Sequence, residues 1–202
     1  DEGHWREHFP GVTPPGNLWG PGAPTGDYFI EGDELGAAFR GSYLVCETVH
    51  RALFRFRPEL KDAQVELIDL DKSFFATDRG SDNRSASGFL PSDVVASTDG
   101  SLFITDWNSH VNGRGSGNSE GAIFRLHPID EKRVQPPEID FASQAGLLDA
   151  LKSPAPGVRW VAQDKLKTTP GAAGALLGFI EANTGNPYYC ARAVFILAQL
   201  RD

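Results

Sequence analysis

Apolar residues between positions 24 and 128 fall in short runs cut by glycine, serine and carboxylates, and several runs recur. Gly41-Ser42-Tyr43-Leu44-Val45-Cys46-Glu47 is echoed 59 residues later by Gly100-Ser101-Leu102-Phe103-Ile104-Thr105-Asp106. Each copy is a turn glycine, a serine, residues suited to a strand, and a closing carboxylate. Ala52-Leu53-Phe54-Arg55-Phe56 is echoed by Ala122-Ile123-Phe124-Arg125-Leu126 at an offset of 70. The second copy therefore carries a polar, glycine-rich insertion at 108–120. Ahead of both, 25–30 can be set beside 91–96, a pairing that rests on Asp27 and Asp93. Ala63-Gln64-Val65-Glu66-Leu67-Ile68 alternates as a half-buried fourth strand should. Arg133-Val134-Gln135 is a poorer counterpart, broken at Pro136-Pro137.

The pattern predicts a mainly β region followed by helices. Its β part reads as two four-stranded β-propeller blades, about 24–72 and 90–128, forming a partial propeller over 1–128. An ordinary β-sandwich is the alternative. In a propeller the innermost strands surround a central channel, which Asp27 and Asp93 would face. Asp106-Trp107 would then lie near one face.

From Ala145 the spacing turns helical, and 129–142 serves as linker or outer strand. Leu147, Leu148 and Leu151 are cut off by Pro154-Ala155-Pro156-Gly157. Val158, Val161, Ala162, Lys165 and Leu166 follow at i, i+3, i+4, i+7, i+8. Leu176, Leu177 and Ile180 repeat the first set 29 residues on. Cys190, Ala193, Val194, Leu197 and Ala198 would line one face of a final helix. Two helical hairpins of HEAT-like build over 143–202 account for this, with a plain four-helix appendage as the alternative. Trp160 and Tyr188-Tyr189 are expected to pack, or else to offer a protein partner an aromatic surface.

Charge divides the chain in the same place. Residues 1–142 hold 13 basic and 23 acidic side chains, and 143–202 hold 6 and 4. The net charge of −8 argues against a nucleic-acid binder, because phosphate affinity comes from clustered Lys and Arg. No apolar run reaches the roughly 20 residues of a membrane helix. Two cysteines, Cys46 and Cys190, exclude a disulfide framework, a four-cysteine zinc site and a CxxCH haem motif within this sequence. With Asp1 first and no initiator Met or leader pattern, the sequence is expected to be a piece of a longer chain.

Pro24-Thr25-Gly26 followed by Phe39-Arg40-Gly41-Ser42-Tyr43-Leu44-Val45 resembles a blade of the glucose/sorbosone dehydrogenase-like propellers. Leu90-Pro91-Ser92-Asp93-Val94 with Asp99-Gly100-Ser101-Leu102-Phe103-Ile104-Thr105-Asp106-Trp107 is similar to that family's late-blade pattern, and Gly121-Ala122-Ile123-Phe124-Arg125-Leu126 to its closing strand. Leu90 departs from it, standing where the family usually has Arg. Helical repeats directly after the closing blade resemble the membrane-bound dehydrogenase subgroup, which joins a propeller, HEAT repeats and a CxxCH haem domain in one secreted chain. The resemblance implies a periplasmic or extracellular protein. It implies the C-terminal blades of a sugar or alcohol dehydrogenase that is quinone- or haem-linked in relatives, incomplete as a catalyst here. PQQ and Ca²⁺ are the implied cofactors, with haem c only in a missing domain.

Such chemistry needs a base, a metal and cations that hold a quinone's carboxylates. The candidates for proton transfer are Asp93, Asp106 and His110. Arg114, Arg84 and Asp27 are candidates for cofactor binding. Asp106, Asn108 and Glu120 offer hard oxygen ligands on the glycine-rich insertion, although their spacing matches no EF-hand. His4 and His8 are a weaker metal pair. Two further readings stay open: a non-catalytic module that binds glycans or a protein, and a Ca²⁺-dependent lactonase-like hydrolase using Asp27, Asp93 and Asp106.

Overall fold

The computed structural model describes residues 22–33, 35–62, 64–76, 89–107, 121–127 and 136–200. Among these are seven strands: β1 (Pro24–Phe29), β2 (Tyr43–Glu47), β3 (Ala52–Lys61), β4 (Gln64–Phe75), β5 (Pro91–Ala96), β6 (Leu102–Asp106) and β7 (Ala122–Leu126). Four α-helices follow: α1 (Gln144–Ala150), α2 (Pro156–Leu166), α3 (Ala172–Ala182) and α4 (Pro187–Leu197). The strands make two separate antiparallel sheets, ordered β1-β2-β3-β4 and β5-β6-β7. The two recurring segments thus fall in different sheets. Residues 133–135 lie outside the described residues.

Two compact units share these elements. One draws on 22–30, 41–94 and 104–124, the other on 31–40, 95–103 and 125–200. In the first unit β2 pairs with β3 without interruption from Tyr43↔Phe56 to Glu47↔Ala52. The four-residue connection closes on Arg51, whose φ of 57° is left-handed. The next connection is tighter: Lys61 faces Gln64 across Asp62, also left-handed at 56°. The fourth strand, expected over 63–68, begins at Gln64 and runs on to Phe75. A bulge lets it continue. Arg55 faces Asp71 and Arg57 faces Ile68, so β4 holds an extra residue there, with Asp69 at φ 53°. The alternation that marks a strand breaks at that point in the sequence, which hides the continuation.

A four-bond frame is built twice. Gly41 and Gly100 both have φ of 82°, a region open to glycine at little cost. Ile30 N donates to Ser42 O and Gly41 N to Ile30 O, and Ser97 N to Ser101 O and Gly100 N to Ser97 O repeat the pair. At the opposite strand end, Glu47 Oε1 accepts the Ala23 amide at 2.7 Å, and Thr48 N returns a bond to Ala23 O. Asp106 Oδ1 accepts the Leu90 amide at 3.0 Å, and Trp107 N returns one to Leu90 O. Both carboxylates are buried, Glu47 at 1% and Asp106 at 4% exposure. Each holds the residue before a proline that opens a strand, Pro24 or Pro91. These matched bonds set Ala23 level with Leu90 and Ile30 level with Ser97. Asp27 is therefore level with Val94 and Asp93 with Gly26, one residue off the sequence pairing of the two aspartates.

In the second unit Asp99 closes the turn before β6. Its carboxylate accepts the Ser101 amide (3.0 Å) and hydroxyl (2.5 Å) and meets the Arg125 guanidinium of β7 at 2.5 Å. Burial pushes the Asp99 carboxyl up, but the Ser101 bonds, Arg125 and Ser97 outweigh it and hold it below its ordinary value.

The helices of that unit start where capping chemistry directs. Ser143 Oγ accepts the Gly146 amide to open α1, and Asn186 Oδ1 accepts the Tyr188 and Tyr189 amides to open α4. Pro156 and Pro187 sit in the first turns of α2 and α4. α1 packs on α2 and α3, and α3 packs on α4. Their core is Leu147, Leu151, Ala162, Leu166, Leu176, Phe179, Ala193 and Ile196, with smaller neighbours. The buried stripes differ from those the spacing suggested. In α3 Phe179 turns inward and Leu177 is 54% exposed; in α4 Ile196 is buried and Val194 is 53% exposed. Trp160, expected to pack, is 77% exposed. No helix among the described residues is long and apolar enough to cross a membrane.

Two outcomes follow from these bonds. Replacing Glu47 or Asp106 by Ala strands a backbone N–H against buried surface, a loss of about 1–3 kcal/mol in urea unfolding. Asp106→Asn keeps an acceptor oxygen and loses less; an Asp106→Ala variant as stable as wild type would contradict the role assigned to this bond. The Asp99 carboxyl titrates lower in the folded chain than in the unfolded one. Its contribution is therefore complete above the unfolded value near pH 4 and fades as pH falls through the folded value. Asp99→Asn is expected to be less stable at pH 7 and to show a shallower stability loss between pH 5 and pH 3.

Candidate functional site

The first unit brings Asp27 and Asp93 to one neighbourhood, centred on β2. The carbonyl of Pro91 accepts two threonine hydroxyls, from Thr48 at 2.9 Å and Thr25 at 3.1 Å. These bonds bring the start of β5 against the start of β1. Gly26 packs directly on Asp93: a Cβ at position 26 would lie 2.2 Å from Asp93 Oδ1 and 2.5 Å from its Cα. No other residue fits there without displacing backbone. Asp93 Oδ1 also accepts the Val94 amide at 2.8 Å, which fixes the carboxylate against its own strand.

Asp27 is held from the next strand. Tyr43 Oη donates to Asp27 Oδ2 at 2.5 Å. Register explains the meeting: Asp27 faces Val45, so Tyr43 is its diagonal neighbour on the same sheet face. The Tyr43 ring stacks on Phe56 at 5.4 Å and meets Phe29 at 5.9 Å, which fixes the phenol's direction. The bond to Asp27, partial burial and the carboxylate's charge raise the Tyr43 phenol to about 12, so it stays a donor at neutral pH.

Cys46 lies buried on β2, on the sheet face opposite Tyr43. Burial first, then Asp93, then Asp27 push its thiol up to about 12. The thiol is no nucleophile there, because it holds its proton at neutral pH.

Asp106 is engaged differently, with Oδ1 on the Leu90 amide. Of the other candidates, His110, Arg114, Arg84, Asn108 and Glu120, together with His4 and His8, lie outside the described residues. Among the described residues no three or more His, Cys, Asp and Glu side chains group closely enough to hold a metal ion. Asp27, beside the Phe29, Tyr43 and Phe56 rings, can accept a hydrogen bond from a hydroxyl group, while Asp93 is held against Gly26 and the Val94 amide.

Sequence reasoning reached Asp27 and Asp93 and missed Tyr43 and Gly26. Tyr43 was legible only as a strand residue of the repeat. Its partnership with Asp27 needs the register across the 30–42 connection. Gly26 was read as a motif glycine without its contact.

No family model matches the chain, and no curated protein matches it. Among solved structures it is similar to one from Thermus thermophilus, provisionally named an oxidoreductase (glucose dehydrogenase). The identity is 20% and the TM-score 0.38, over 58% of this chain. The match spans 29% of that protein's own length.

The two cysteines should separate by reactivity. Cys46 is fully buried with a raised thiol, whereas Cys190 is half-buried on α4. Native protein at pH 8 is expected to take one equivalent of iodoacetamide quickly, at Cys190, and the second only in urea. Rapid labelling of Cys46 in the native state would contradict the packing described.

Proposed function

We propose that the chain contributes two neighbouring blades of a glucose/sorbosone dehydrogenase-like propeller, joined to HEAT-like helical hairpins, and that its polar wall binds a sugar or other polyol. The repeated carboxylate–amide frame in two separate sheets is the observation that carries this reading, since blades are copies of one sheet. Asp27 and Asp93 accept hydrogen bonds from ligand hydroxyls. Tyr43 orients Asp27, and the Phe29–Tyr43–Phe56 row gives the apolar face that sugar C–H groups prefer. PQQ and Ca²⁺ belong to this proposal through the sequence resemblance, as does a periplasmic or extracellular location; Arg84 and Arg114 are offered for the quinone and Asn108 and Glu120 for the metal on their residue types and loop positions. A quinone would supply the electron acceptor. The work of the described residues is binding and orientation.

A second reading is a non-catalytic glycan-binding module. The engagement of Asp106 in the frame favours it, because that carboxylate is then structural. Exposed Trp160 and Phe195 on the helical unit suit a protein partner in either case.

Calorimetric titration of the whole chain with glucose and related aldoses tests both. Binding in about the millimolar range, weakened at least tenfold in Asp27→Asn and Asp93→Asn, is expected. Dye-linked oxidation with added quinone and Ca²⁺ then separates enzyme from module. Absence of any aldose or polyol binding would overturn both readings.

A further inference from the structure

Within the second unit, Glu31 lies between two arginines from different helices. Its Oε2 meets the Arg192 guanidinium of α4 and, at 3.2 Å, that of Arg159 of α2. One carboxylate thus faces two cations, all of them largely withdrawn from water: exposures are 23% for Glu31, 18% for Arg159 and 15% for Arg192. Burial pushes the Arg192 guanidinium down, Glu31 opposes this, and Arg159 adds to the lowering. The cluster has more positive than negative charge.

The arginines do not depend on Glu31 for their placement. Arg159 Nη1 donates to the carbonyls of Ser153 (2.9 Å) and Pro154 (2.6 Å). Arg192 Nη1 donates to Leu151 O at 2.5 Å, and its guanidinium lies 5.1 Å over the Tyr189 ring. Both forks are therefore fixed by the 151–154 turn and by α4. Guanidinium pairs held in this way recognise oxyanions through directed N–H bonds. Asn186 anchors the occupant from behind, with Nδ2 donating to Glu31 O at 3.0 Å.

We propose that Arg159 and Arg192 form an oxyanion pocket, for a phosphate or carboxylate group, in which Glu31 sits as a built-in occupant. A tethered carboxylate competes at an effective concentration of about millimolar or above, so a free anion reaches the arginines only when Glu31 withdraws. The pocket in that sense holds Glu31 in place.

Thermal unfolding of the whole chain and of Glu31→Gln and Glu31→Ala tests this in inorganic phosphate, in acetate, and in chloride of equal ionic strength. Both variants are expected to gain several degrees in phosphate or acetate over chloride, as a ligand that binds only the folded state requires. Wild type should gain little, and Glu31→Gln/Arg159→Gln should lose the gain. Glu31→Gln keeps the side-chain shape, so the test survives if Glu31→Ala folds poorly. A gain in acetate assigns a carboxylate ligand, and one in phosphate alone a phosphate. No gain in either anion, or an equal gain in wild type, would overturn the proposal.

Discussion

The β part of this protein depends on buried carboxylates that accept backbone amides. Glu47 and Asp106 are nearly out of water, where an unsatisfied carboxylate would be costly. Each finds its partner in the N–H of a residue before a proline. That N–H has no strand partner to go to, and the proline after it has none to give. Charge and donor thus solve each other's problem at the end of each second strand. Glu47 reaches one atom further than Asp106 and also takes the Val49 amide at 3.1 Å, so the longer side chain closes the following turn as well. Because the arrangement occurs in both sheets, the strand ends are held in the same geometry twice.

Much of this was legible in the residues. Gly41 and Gly100 announced a turn, and both take the left-handed backbone that glycine allows. The repeated strands fall where their apolar runs placed them. What stayed hidden was whatever depends on register. Setting Asp27 beside Asp93 matched like letters, whereas the hydrogen bonds align the strands one residue away, with Gly26 opposite Asp93. The same limit applied to the helices. Leu177 and Val194 fit an apolar stripe by spacing, but the stripe that packs is turned toward Phe179 and Ile196, because the neighbouring helix decides which of two apolar arcs is covered. Glu31 carried no signal at all: its partners are more than 120 residues away along the chain.

Asp27 and Asp93 are held in two different ways. Asp93 is pressed against glycine and bound to its own strand's amide. Asp27, exposed like Asp93, is tied to a phenol on a row of rings. The first is placed by backbone, the second by a phenol held among rings. Cys46, buried on the other face of β2, keeps its proton and is no nucleophile.

The bulge in β4 has a further effect. Among the described residues β4 is the outer margin of its sheet, and twelve residues of open ladder could template another chain. Asp69 breaks that ladder with its left-handed backbone, and Asp71 and Lys72 follow it with charge. An incoming strand would find its register interrupted midway and two ionic groups in its path. The margin that completes the sheet is thereby a poor seed for aggregation.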